Sequence, residues 1–119
     1  MQTVLAYFFG VVMLFSTYYH IANPAFYEPM IPSWLPSNAV NWGTALAEAL
    51  VGILLFIPAY RYLGGLGFMV LMIVFLPLHV WDLFRPDPMT GSMTGAIIRL
   101  IIQFALIYGG WWIYKVAQA

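Results

Sequence analysis

The sequence predicts an all-α fold: an integral membrane four-helix antiparallel bundle, with a proline-rich interfacial connector between the first and second helices. Two observations carry that prediction. Of the 119 residues, 64% are hydrophobic and 7% charged, with a mean hydropathy of +0.90, whereas a soluble domain carries about 25% charged residues. Four apolar runs also follow one another, each near the ~20 residues that a bilayer core demands. Lipid offers backbone groups no hydrogen-bonding partner, and with no strand-length alternation in the runs, helices satisfy that requirement most simply.

The predicted spans cover residues 3–21, 40–60, 63–84 and 94–116, with the connector at 22–39, in one transmembrane domain over 1–119. The first run, MQTVLAYFFGVVMLFSTYYH, lacks the basic start and small-residue cleavage pattern of a signal peptide and reads as a retained span. The connection around PAYRY is so tight that spans two and three must be antiparallel neighbours. GSMTG reads as a flexible loop leading into the N-cap of the fourth helix.

Arg61 and Lys115 fall on one side with the amino terminus, and Arg85 on the other with Glu28, Asp82 and Asp87. The positive-inside bias then puts both termini in the cytoplasm. Trp34, Trp42, Trp81, Trp111 and Trp112 fall near span ends, as an aromatic belt at headgroup depth requires. Gly43 with Ala47, Ala45 with Ala49, and Gly64 with Gly67 are small residues spaced for close helix approach.

The composition also excludes functions. With no cysteine, the chain has no disulfide framework, CxxC redox pair, thiolate metal site or cysteine nucleophile. Four basic residues balance four acidic ones with no basic run, so nothing points to nucleic acid. Nucleophile-elbow, dinucleotide and phosphate-loop patterns are missing.

A charge inside a span costs at least ~2.5 kcal/mol and needs a partner or a use. At 1.5 Å per residue, Glu48 sits ~12 Å into the second span, and Arg99 and Gln103 lie ~8 and ~14 Å into the fourth. Asn41, Thr44 and Gly52 share the Glu48 stripe; Arg99 and Gln103 share a face at i, i+4. An ion pair of Glu48 with Arg99, with Gln103 taking a second carboxylate lone pair, is the expected way to make both charges tolerable. His79 and Asp82 approach from the third span, and Ser16, His20 and Asn23 form the stripe on the first. The polar stripes thus converge on the outer half of the bundle, and the inner half is almost purely apolar. Two readings follow: a network that merely fixes helix register, or an outward-opening pocket for a ligand or partner.

His20 and His79 on different helices have the ligand type for a bis-histidine haem, but both sit close to one membrane face rather than deep in the bundle. His20, His79, Asp82 and Glu48 are suitable zinc donors, but their spacing carries no metal signature.

The segment HIANPAFYEPMIPSWLP, followed by WGTALAEALVGILLFIPAYR and by a third span ending VFLPLHVWDLF, resembles the DoxX-like family of small four-helix membrane proteins over nearly the whole chain. The resemblance implies a subunit or accessory of a membrane redox or quinone-linked assembly, in a cell membrane, the bacterial inner membrane. Family branches that work through cysteines are poor guides for this chain, and His79 stands where many members are expected to have asparagine.

On that reading the pocket holds a quinone headgroup or another small lipophilic ligand. His20, His79 or Arg99 hydrogen-bond a carbonyl, Glu48 relays a proton, and Trp34 or Trp42 stacks on the ring. Asn23, Asp82 and Gln103 complete the polar cluster. Pro24, Pro29, Pro32 and Pro36 restrict the connector to a few stiff turns, so that it lies over the pocket as a lid, with Phe26, Tyr27, Met30, Ile31, Trp34 and Leu35 toward lipid or the bundle mouth. The competing reading is a non-catalytic scaffold or assembly factor that presents its outer face to another protein subunit or a second copy of itself.

Overall fold

In the computed structural model, residues 1–85, 88 and 91–118 are described. They form four long helices, α1 (Gln2–Ala22), α2 (Ser37–Phe56), α3 (Arg61–Leu83) and α4 (Met93–Gln118), and no strand among the described residues. All four are long and apolar enough to cross a membrane. Asp87, expected on the side of Arg85, lies outside the described residues.

The helix ends follow local chemistry. The second span stops at Phe56, short of the expected Tyr60, because Pro58 disfavours helical geometry at the residue before it. Ile57 is accordingly extended (φ −99°, ψ 112°), and Pro58–Tyr60 forms one 3-10 turn before α3. At the start of α4, Ser92 Oγ accepts the Gly95 N–H at 3.0 Å and fills the N-cap role that GSMTG foreshadowed. The connector forms two 3-10 turns, Pro24–Phe26 and Glu28–Met30, each with proline near its start.

α3 packs most extensively on α4, and α1 on α2, with α2 against α3 closing the set. Ala6, Phe9, Met13, Val51, Leu55, Phe68, Met72 and Ile113 make the main apolar core. Its centre is the stack of Phe9 on Phe68, with ring centroids 4.2 Å apart. Most of these residues lie toward the α2–α3 turn, so the polar side chains gather at the connector end.

One close approach sets the α3–α4 spacing: a Cβ added at Gly65 would lie 2.7 Å from the Tyr114 nitrogen, and one at Gly110 2.9 Å from the Met69 nitrogen. Neither helix can carry a larger residue there without moving its neighbour. Gly64 and Gly67 abut Leu55 and Val51 of α2, as their spacing predicted. Gly43 does not play that part: it is exposed, and a Cβ there would meet nothing within 4 Å.

Arg61 departs from the expected apolar inner half. The side chain is buried; Nε donates to the Leu55 carbonyl at 3.0 Å and the guanidinium lies 5.0 Å from the Tyr7 ring centroid. It caps the carbonyl end of α2, where a helix carries partial negative charge.

Candidate functional site: a cavity between two polar clusters

The first cluster is built by α1 and α2. Ser16 and His20 share one face of α1 at i, i+4, and Asn41 and Glu48 share one face of α2 at i, i+7. Asn41 Nδ2 donates to the His20 carbonyl at 3.0 Å, which fixes the amide so that its Oδ1 faces His20 Nδ1 at 2.6 Å. Nδ1 therefore carries a proton and donates it. The other ring nitrogen, Nε2, lies 3.1 Å from Glu48 Oε1. One proton occupies that second contact, on the ring or on the carboxyl. Ser16 Oγ donates to both carboxyl oxygens, at 3.0 and 3.1 Å.

Tyr27 closes this cluster from the connector. Its ring stacks on His20 with centroids 3.6 Å apart and an interplanar angle of 18°, and its hydroxyl is 3.5 Å from Ser16 Oγ. Burial holds the Tyr27 phenol above its ordinary value, so it keeps its proton at neutral pH.

The second cluster belongs to α3 and α4. Arg99 donates to His79 Nδ1 at 3.0 Å, which leaves the neutral imidazole with its proton on Nε2. Asp82, almost fully buried, receives Arg85 at 3.1 Å and stands 3.6 Å from Arg99. Gln103 Nε2 donates to the Met72 carbonyl at 2.7 Å. Arg85 also reaches across to the connector, donating to the Pro29 carbonyl at 2.7 Å, while its guanidinium lies over Trp81 at 4.7 Å. Met30 packs between the two arginines, its sulfur 3.9 Å from each.

Between the clusters lies a cavity of about 260 Å³. His20, Glu48, His79, Arg99 and Gln103 all line it, as do Ser16, Asn41 and Thr44. Met13, Val40, Met72, Phe75, Leu78 and Leu106 supply apolar walls, and Tyr27, Met30 and Ile31 bring the connector over it. The lid expected from the prolines thus has three side chains in contact with the cavity.

Several expectations are corrected. Glu48 does not pair with Arg99: the carboxylate is taken by His20 and Ser16 within the α1–α2 pair, and Arg99 is taken by Asp82 and His79 within the α3–α4 pair. Depth along a helix did not specify which neighbour each side chain meets. Gln103 binds a backbone carbonyl and not the carboxylate. Asn23 ends α1 on an exposed side and contacts Tyr19, away from the cavity. Asp82 supports Arg99 from behind without lining the space. Trp34 and Trp42 are 80% and 53% exposed and do not line it; Trp42 follows buried Asn41 and so turns about 100° away from it. The ring-stacking role falls to Tyr27, against His20.

Among the described residues no group of three or more His, Cys, Asp or Glu side chains could hold a metal ion. Both nitrogens of His20 are committed, and His79 Nδ1 accepts from Arg99. Asn41 and Arg85 are the residues the sequence undervalued. The i, i+7 spacing of Asn41 with Glu48 was the available signal for the first, and no sequence signal marked the second.

The chain belongs to a family described as Domain of unknown function (DUF8561), whose model matches residues 9–114. No curated protein and no solved structure matches it.

Proposed function

We propose that this chain is a multi-pass protein of a cell membrane, with four antiparallel spans, that binds a small lipophilic molecule bearing an oxygenated headgroup. A quinone headgroup suits that description best. The DoxX-like resemblance of the connector and of the second and third spans supports a role as subunit or accessory of a redox-linked membrane assembly.

Insertion in lipid is supported by the outward surface: Val4, Phe8, Phe15, Ile53, Val74, Ile101 and Phe104 are each more than half exposed. At roughly 25 cal/mol per Å² of apolar surface, water would penalise such a face heavily. The proposed orientation has both termini in the cytoplasm, with Arg61 and Lys115 on the inner side and the cavity toward the outer one.

The observation that carries the binding reading is the cavity of about 260 Å³, apolar along its walls and polar at two places. Apolar cavities of ~150 Å³ accept a benzene-sized ring, so this space admits a substituted monocycle. Ligand sites combine such walls with a few placed polar groups. The test is organic extraction of protein purified in native lipid, followed by mass spectrometry. A stoichiometric quinone, hydroquinone or related ring compound supports the reading; its absence, with Glu48→Gln fully functional, sinks it.

A second reading, a scaffold or assembly factor, is favoured by the way both clusters satisfy much of their polarity internally, as in the His20–Asn41 and Arg85–Asp82 contacts. Mild-detergent affinity purification separates the two. A stable stoichiometric protein partner, including a second copy of this chain, together with no bound small molecule, favours the scaffold.

A further inference from the structure

The two sides of the cavity are chemically opposite. On the α1–α2 side, Glu48 Oε1 is engaged by His20, and the single Ser16 proton is shared between Oε1 and Oε2. A carboxylate offers about four lone-pair positions, so Oε2 retains acceptor capacity. The His20–Glu48 pair carries one proton between ring and carboxylate and contributes no net charge.

On the α3–α4 side the balance is reversed. Among the described residues, Arg85 and Arg99 are both drawn to the carboxylate of Asp82, and His79 is neutral because its Nδ1 accepts from Arg99. Arg99 has five N–H donors and spends few of them on the described residues. The His79 Nε2–H donates to none of them. Among the described residues this side therefore supplies surplus donors and positive charge, and the other the acceptor capacity of Glu48 Oε2 among the Ser16, Tyr27 and Thr44 hydroxyls.

We infer that the cavity selects a ring with an oxygen acceptor at one end and a hydroxyl donor at the other: the acceptor facing Arg99 and His79, the hydroxyl facing Glu48. The inference rests on the ligand-binding reading above and sharpens it. A dione has acceptors at both ends and leaves the carboxylate confronting a carbonyl oxygen, two lone-pair groups with no proton between them. A hydroquinone satisfies both sides, donating one hydroxyl to Glu48 and accepting from Arg99 with the other oxygen. The site is thus selective for the reduced, hydroxylated form over the oxidised one.

Three probes on one methylated six-membered ring separate the possibilities: methylhydroquinone and methyl-1,4-benzoquinone, which match in size and decide the ranking, and 1,4-dimethoxy-2-methylbenzene, which is larger by two methyl groups. The last keeps oxygen acceptors but has no donor. The cysteine-free chain offers the quinone no thiol to alkylate. Affinity is measured by equilibrium dialysis of protein in lipid nanodiscs against empty nanodiscs, which subtracts partition into lipid.

The expected result is methylhydroquinone binding about tenfold or more tighter than either other probe, the scale set by one well-made hydrogen bond to a charged acceptor. In Glu48→Gln the side-chain amide donates to a carbonyl, so the preference shrinks or inverts toward the quinone. A wild-type protein that binds all three equally overturns the selectivity while leaving the pocket reading standing. A protein that binds none of them overturns both. Should Glu48→Gln not fold, the wild-type ranking alone decides.

Discussion

His20 Nε2 stands 3.1 Å from Glu48 Oε1 while Nδ1 of the same ring donates to Asn41 at 2.6 Å. Asn41 thereby dictates the role of His20, and His20 in turn stabilises a buried carboxylate in the middle of α2. Asn41→Leu removes both Asn41 hydrogen bonds and leaves a buried imidazole nitrogen unpaired. The expected cost is about 1–3 kcal/mol, read as a lower melting temperature in detergent. An unchanged melting temperature would mean that the Asn41 bonds contribute nothing net.

Ser16→Ala tests the same carboxylate from the other side. It withdraws the hydroxyl that bridges both Glu48 oxygens and breaks the contact to Tyr27. Loss of a donor to a buried carboxylate is worth about 1.5–3 kcal/mol. Thermal unfolding should show that loss, and Ser16→Thr, which keeps a hydroxyl, should recover part of it.

Two glycines with opposite surroundings give a paired prediction. Gly65→Ala forces a Cβ toward the backbone of α4, with an overpacking cost of about 1–3 kcal/mol. Gly43→Ala meets no atom within 4 Å, so it gains up to ~1 kcal/mol from helix propensity alone. Chemical unfolding of both variants in the same detergent checks the sign of each. Equal effects would contradict the α3–α4 crossing.

Arg85 holds the connector down through the Pro29 carbonyl. Arg85→Ala should leave the helices in place, because Asp82 retains Arg99, and loosen residues 24–36. Hydrogen exchange of the connector amides should rise about tenfold, the equivalent of roughly 1.4 kcal/mol. An unchanged exchange rate would show that the aromatic contacts of Tyr27 with His20 and of Tyr19 with Phe26 and Tyr27, at 3.6, 5.0 and 6.0 Å, hold it without Arg85.

Much of the fold was legible because each feature had a local cause. Length and apolarity marked the four helices and GSMTG marked the start of α4, whereas the break that Pro58 imposes after Phe56 fell inside the expected second span. The polar stripes were also legible as helical periodicity, and five of the seven cluster residues reached one cavity. Pairing was not legible. Whether Glu48 meets Arg99 or His20 depends on how far each helix is rotated about its own axis. Nearly uniform apolar surfaces do little to specify that rotation from sequence. Arg61 shows the same limit: its charge suggested an interfacial position, whereas its long side chain turns back to cap α2. Trp34 and Trp42 misled because an aromatic next to a polar stripe can face either way.

On the proposed function, the space between the Glu48–His20 pair and Arg99–His79 is a ligand site. A density map of the protein prepared with its native lipids tests it most directly. Ring-shaped non-protein density is expected in that space, with one end near Glu48 and the other near Arg99. A cavity closed by its own side chains, or holding ordered water alone, would contradict it.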